Sequence, residues 1–154
     1  MWLRYLAVTL LLYFFAILKN SFLVNFNILG VTPNFVLIFC FLLIFFEKPG
    51  KYYLGLFASV VAGFFLDVFS HNYFGISIFL LLILMFLVKK FLQLLWERHN
   101  KYSILYFIPL FTTYFIAYNA FVNFSLSWTF IIAIIYNLVF ALAGFYICLK
   151  LNIK

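Results

Sequence analysis

The chain has 154 residues, of which 69% are hydrophobic, 25% aromatic and only 8% charged, with a formal net charge of +7 and a mean hydropathy of +1.24. Ten basic and three acidic side chains cannot cover a water-facing surface, since a soluble domain carries about 25% charged residues; disordered chains, in turn, are poor in aromatics. These values exclude a soluble globular protein and a disordered one, and describe a single-domain integral membrane protein. The Lys and Arg residues lie dispersed between apolar runs as topology signals do, not gathered into a nucleic-acid face.

Backbone amides must be paired inside hydrocarbon, so spans are helices or a closed barrel. A barrel needs alternating apolar and polar positions, whereas stretches such as Ile76 to Val88 are apolar on every face. The fold expected is an all-α polytopic bundle of six transmembrane helices. The first is placed at Tyr5 to Val24; it has a charged start and an apolar stretch but no small-x-small cleavage site, and is read as retained. The second runs from Pro33 to Phe46, with Thr32 as N-cap and Pro33 in the first turn, and the stretch from Phe22 to Val31 folds at the outer interface. After the turn Glu47-Lys48-Pro49-Gly50-Lys51, with Pro-Gly in the order a type II turn prefers, the third spans Tyr52 to Ser70. The fourth spans Phe74 to Leu95, and its basic end, Lys89 to Arg98, snorkels to or lies along the surface. The fifth occupies 102 to 122, with a kink expected at Pro109, and the sixth Trp128 to Leu149.

With six alternating helices, one face receives Arg4, Lys48, Lys51, Lys89, Lys90, Arg98, Lys101, Lys150 and Lys154, nine of the ten basic residues, and only Lys19 lies opposite. The positive-inside rule then makes both termini cytoplasmic. Cys40 and Cys148 lie in apolar runs without metal-ligand spacing and are read as packed thiols. No metal, cofactor or catalytic set is indicated.

Asp67 is the only acid inside a span, roughly 22 Å along its helix at 1.5 Å per residue. Intramembrane acids face the bundle interior or a partner; tying helices within the chain is the plainer use. Gly55, Ser59, Gly63, Asp67, His71 and Gly75 recur every four residues, which within one helix makes a small-residue face suited to close helix contact. Ala58 and Ala62 widen it. That face packs either within the chain or against a partner. An Asp67–His71 proton relay lacks further stations across the membrane. Thr129, Ala133, Asn137 and Ala141 form a second close-packing face with one interhelical hydrogen bond.

Gly30 to Phe91 resembles the MreD family of bacterial rod shape-determining membrane proteins. The residues that carry the resemblance are Pro33-Asn34, Gly55, Gly63-Phe64-Phe65-Leu66-Asp67 and Gly75; Asn34 stands where that family usually has Asp. The resemblance implies a non-enzymatic, multi-pass component of the bacterial inner membrane that binds the single-span protein MreC and works with MreB and cell-wall synthases in peptidoglycan synthesis and cell shape. The expected partner surface is the Gly55–Asp67 face, with Ser59, Gly63, His71 and Gly75, or the outer loop near Pro33 and Asn34. Substrate-binding components of energy-coupling factor vitamin transporters are similar in size and helix number, imply a related fold, and are the rival reading. Their usual pair of small residues on the first helix is not present, since Ala7 and Ala16 are not so spaced.

Overall fold

The computed structural model describes residues 2–27, 29–48, 51, 53–69, 74–96, 103–122 and 128–151. Among these it is all-helical. Six α-helices, α1 (Trp2–Asn20), α2 (Phe35–Phe46), α3 (Tyr53–Phe69), α4 (Ile76–Trp96), α5 (Ser103–Val122) and α6 (Trp128–Lys150), are joined in one place by a 3-10 turn at Leu23–Phe26. Four of them, α1, α4, α5 and α6, are long and apolar enough to cross a membrane, and α2 and α3 are shorter apolar helices. At 1.5 Å per residue, the 12 residues of α2 rise only about 18 Å, less than the roughly 30 Å of a hydrocarbon core.

The helix ends have local causes. Helix α1 stops at Asn20, four residues before the expected Val24; the Ser21 and Phe22 N–H groups still bond the Ile17 and Leu18 carbonyls at 2.9 and 3.1 Å before the chain tightens into the 3-10 turn. The 3-10 turn and an extended stretch then lead to α2. Thr32 is not the cap of α2, as had been expected. The helix starts at Phe35, so Pro33 lies before it and not in its first turn, and Asn34 takes the role; its side chain accepts the Leu37 N–H at 3.3 Å while its own N–H is held by Asn137 at 2.7 Å. Helix α4 begins at Ile76, two residues after the expected Phe74, because Gly75 has φ +99°, a left-handed conformation that cannot belong to the helix and that glycine adopts without a Cβ penalty. Helix α5 continues through Pro109, and the Thr112 and Thr113 hydroxyls donate to the Pro109 carbonyl at 3.0 and 2.6 Å.

Helix α2 is the hub. It touches each of the other five helices, while those touch in the order α1–α3–α4–α5–α6; α1 and α6 make no mutual contact, so the ring around α2 is open at one seam. Val36, Leu37, Cys40, Phe41 and Ile44 of α2 are completely buried. Phe41 packs its ring on Phe107, Phe111 and Tyr114 of α5 at 5.1–5.4 Å, and Phe107 meets Phe145 of α6 at 4.4 Å. Lipid is as apolar as these rings, so shape complementarity and dispersion hold them, with no solvent driving force. The outward faces are apolar as well, for example Leu6, Leu10 and Phe14 of α1 and Ile131, Ile135 and Val139 of α6. Side chains bridge the open seam, Phe15 against Phe35 and Phe39, and Phe35 against Phe140.

Consecutive helices run in opposite directions. One end of the bundle gathers Lys19, Asn34, Leu66, Tyr118 and Thr129 around a cavity; the other gathers Arg4, Glu47, Leu54 and Cys148 around a second. The first and last helices thus bring Arg4 and Cys148 to the same end.

Candidate functional site

Six polar side chains are buried among the described residues: Asn34, Ser59, Asp67, Ser77, Lys89 and Asn137. Each has a partner, as a low-dielectric setting demands, and together they lie at the two ends and along the middle of α3 and α2.

At the Lys19 end, the Asp67 carboxylate accepts the Gly75 N–H at 2.8 Å and the Ser77 N–H at 3.0 Å. Asp67 is therefore a cap: a carboxylate from the end of α3 satisfies the first amides of α4 and meets the positive end of its dipole. Ser77 extends the network, its hydroxyl lying 3.1 Å from the Tyr118 hydroxyl on α5. Nearby, the Asn137 side chain of α6 accepts the Asn34 N–H at 2.7 Å and donates to its own helix at the Ala133 carbonyl, 2.8 Å away. The hydrogen bond expected of Asn137 thus docks α6 on the start of α2.

At the Arg4 end, Glu47 does for α3 what Asp67 does for α4. Its carboxylate accepts the Leu54 and Gly55 N–H groups at 2.8 and 3.2 Å. Lys89 of α4 completes the set, donating to Glu47 Oε2 at 2.9 Å and to the Glu47 carbonyl at 3.0 Å. Lys89 is 1% exposed, so the expectation that it snorkels with Lys90 is corrected: its ammonium is consumed inside the bundle. Sequence reading took Glu47 as a turn residue, and no local pattern pairs it with a lysine 42 positions away.

The small-residue face is filled by the chain's own helices. A Cβ on Gly63 would lie 2.5 Å from the Ile78 Cα and 2.7 Å from its N, so α3 and α4 touch backbone to backbone there. A Cβ on Gly55 would lie 2.8 Å from Glu47 Oε2 and 3.3 Å from the Met85 methyl. Ser59 is buried, donates to the Gly55 carbonyl at 2.8 Å and lies 3.9 Å from the Cys40 sulfur. Gly55, Ser59, Gly63 and Asp67 therefore line the interior between α3, α4 and α2, and present no groove to a partner helix. Pro33 is buried beside Asn34, and Gly75 sits at the start of α4. His71 lies outside the described residues.

What remains open is the seam between α1 and α6. At the Lys19 end it widens into a cavity of about 320 Å³, lined by Lys19, Thr32, Asn34, Asn119, Thr129 and Asn137 with apolar neighbours. At the Arg4 end it holds a larger cavity of about 650 Å³. Among the described residues no three His, Cys, Asp or Glu side chains converge. The geometry offers binding surfaces: one polar mouth and one apolar groove.

No protein-family model, curated protein or solved structure matches the chain.

Proposed function

We propose that this chain is a non-enzymatic scaffold of the bacterial inner membrane, acting in the elongation machinery as the resembled MreD family does. In this reading all six helices cross or enter the bilayer, α2 as a short helix shielded by the other five. Both termini are cytoplasmic. Support comes from Arg4, Lys48 and Lys51, which border one cavity, while Lys19 borders the cavity at the opposite end. Such a distribution is what the positive-inside rule favours.

The partner is a single-span MreC-like protein, and through it MreB and the cell-wall synthases. Since α3 and α4 close over Gly55, Gly63 and Asp67, the partner's helix or juxtamembrane segment docks at the break between α1 and α6, against the loop at Gly30 to Thr32. The observation that carries this reading is the single opening in the helix ring. The test is co-purification with MreC from membranes. Thr129→Trp and Thr32→Trp crowd the mouth while leaving Asn34 and Asn137 in place, and are expected to reduce recovered complex at least about tenfold, the effect of losing roughly 1.4 kcal/mol of affinity. Undiminished complex from inserted, folded variants would overturn the docking site.

A second reading has its own observation. The polar mouth is about 320 Å³, near the lower end of the roughly 300–1,000 Å³ range of ligand pockets, as a vitamin-binding transporter component would need. Tight binding of any vitamin by the purified protein, abolished by Asn34→Leu or Thr129→Trp, would favour that reading over the scaffold.

A further inference from the structure

The larger cavity, at the Arg4 end of the seam, combines two chemistries in one place. Its walls are apolar, made by Phe39, Leu42, Leu43 and Phe46 of α2 with Tyr5 and Leu54, and Cys148 closes it from α6. Its border carries three cations, Arg4, Lys48 and Lys51, all exposed. None of their side chains has a hydrogen-bond or ion-pair partner among the described residues. The single acid in the lining, Glu47, is already occupied by Lys89 and two backbone N–H groups, so it does not neutralise them.

An apolar cavity of about 650 Å³ is a poor host for water, which needs two to four polar partners. It is also reached sideways, because α1 and α6 do not touch and both are long and apolar enough to lie in a bilayer. We infer that the Arg4-end cavity is a binding site for one anionic phospholipid, its acyl chain lying on α2 between α1 and α6 and its phosphate among Arg4, Lys48 and Lys51. Generic snorkelling cations would be scattered around the bundle. Here three of them, from the start of α1 and from the α2–α3 connection, border one groove, the arrangement that basic pockets between membrane helices use to hold anionic headgroups. The lipid also fills the Arg4-end half of the seam, where the ring of five helices lacks its fifth contact. The inference does not depend on the identity of any protein partner.

Native mass spectrometry of the purified full chain, released from detergent micelles doped with phosphatidylglycerol or with phosphatidylcholine of the same acyl chains, tests it. One phosphatidylglycerol per chain is expected to be retained, and phosphatidylcholine is not. Arg4→Ser/Lys48→Ser is expected to weaken retention roughly 30-fold, from about 1 kcal/mol per basic residue at tenfold per 1.4 kcal/mol. Lys90→Ser/Lys150→Ser, which removes the same charge away from the cavity, leaves it unchanged. Leu43→Trp fills the groove with every cation in place and should also abolish retention, and it decides the matter if the doubly substituted protein does not fold. Equal retention of both lipids, equal losses from the two charge pairs, or full retention by Leu43→Trp would overturn the site.

Discussion

The two ends of α3 use the same device in different electrostatic settings. At each end a carboxylate reaches across a connection and accepts two N–H groups at the start of a helix: Glu47 for α3 itself, Asp67 for α4. Glu47 is also neutralised by a buried lysine, whereas among the described residues Asp67 meets amide dipoles and a neighbouring Ser77–Tyr118 hydroxyl pair. One end is thus an ion pair that must be kept whole. The other is a cap that, among the described residues, rests on the first amides and dipole of a helix.

The isosteric amide substitutions separate the two most sharply. Glu47→Gln strands the Lys89 ammonium in the bundle, and removing one partner of a buried pair typically costs about 3–5 kcal/mol. The expected result is a large fall in the unfolding midpoint in mixed micelles. Glu47→Gln/Lys89→Met should recover much of that loss, because the double substitution leaves no charge behind. Asp67→Asn has no stranded cation to contend with. It keeps one acceptor oxygen and leaves one N–H unsatisfied, for about 1–3 kcal/mol. If Asp67→Asn proves the more damaging of the two, Asp67 has a charged partner outside the described residues, and the contrast drawn here fails.

Gly75→Ala addresses the geometry of the weaker end. At φ +99° an L-residue is strained by roughly 1–2 kcal/mol, although open space surrounds the position where its Cβ would fall. The expected loss is therefore conformational and not steric. Gly75→Asn, which tolerates left-handed backbone better, should lose less than Gly75→Ala in the same unfolding assay.

How much of this was legible in the sequence follows from which interactions are local. The order of six helices was readable because apolar runs and polar breaks alternate along the chain. Asp67 was readable as an interior group, and one of the two roles open to it, tying helices, is the one the hydrogen bonds display. Small residues at Gly55 and Gly63 marked a close approach correctly, but spacing cannot say which helix approaches, and it is α4 of the same chain. The hub position of α2 left no trace, because lipid and protein interior are equally apolar and periodicity then fails to distinguish inside from outside. Nor did the Glu47–Lys89 pair, since charges beside a turn and near a helix end look alike whether they face headgroups or each other. Asn34 was masked by Thr32, because Thr followed by Pro is itself a favourable helix start, whereas the bond that fixes the Asn34 backbone comes from Asn137 in α6.

The smallest expected effect is the most diagnostic of whether the two ends act separately. Tyr118→Phe removes the hydroxyl that meets Ser77, but Asp67 holds Ser77 through its backbone N–H, so the cap itself survives. The lost contact joins two neutral hydroxyls, which places the cost within the roughly 0.5–1.5 kcal/mol range for a neutral hydrogen bond. A double-mutant cycle of Tyr118→Phe with Ser77→Ala should therefore give a coupling of about 0.5 kcal/mol or more, as groups in contact do. The same cycle of Tyr118→Phe with Glu47→Gln should give none beyond about 0.3–0.5 kcal/mol, the scatter expected of distant sites. Coupling between those two would mean that the rigid backbone contact at Gly63 transmits strain along α3 from one cap to the other, and that the two ends are one device.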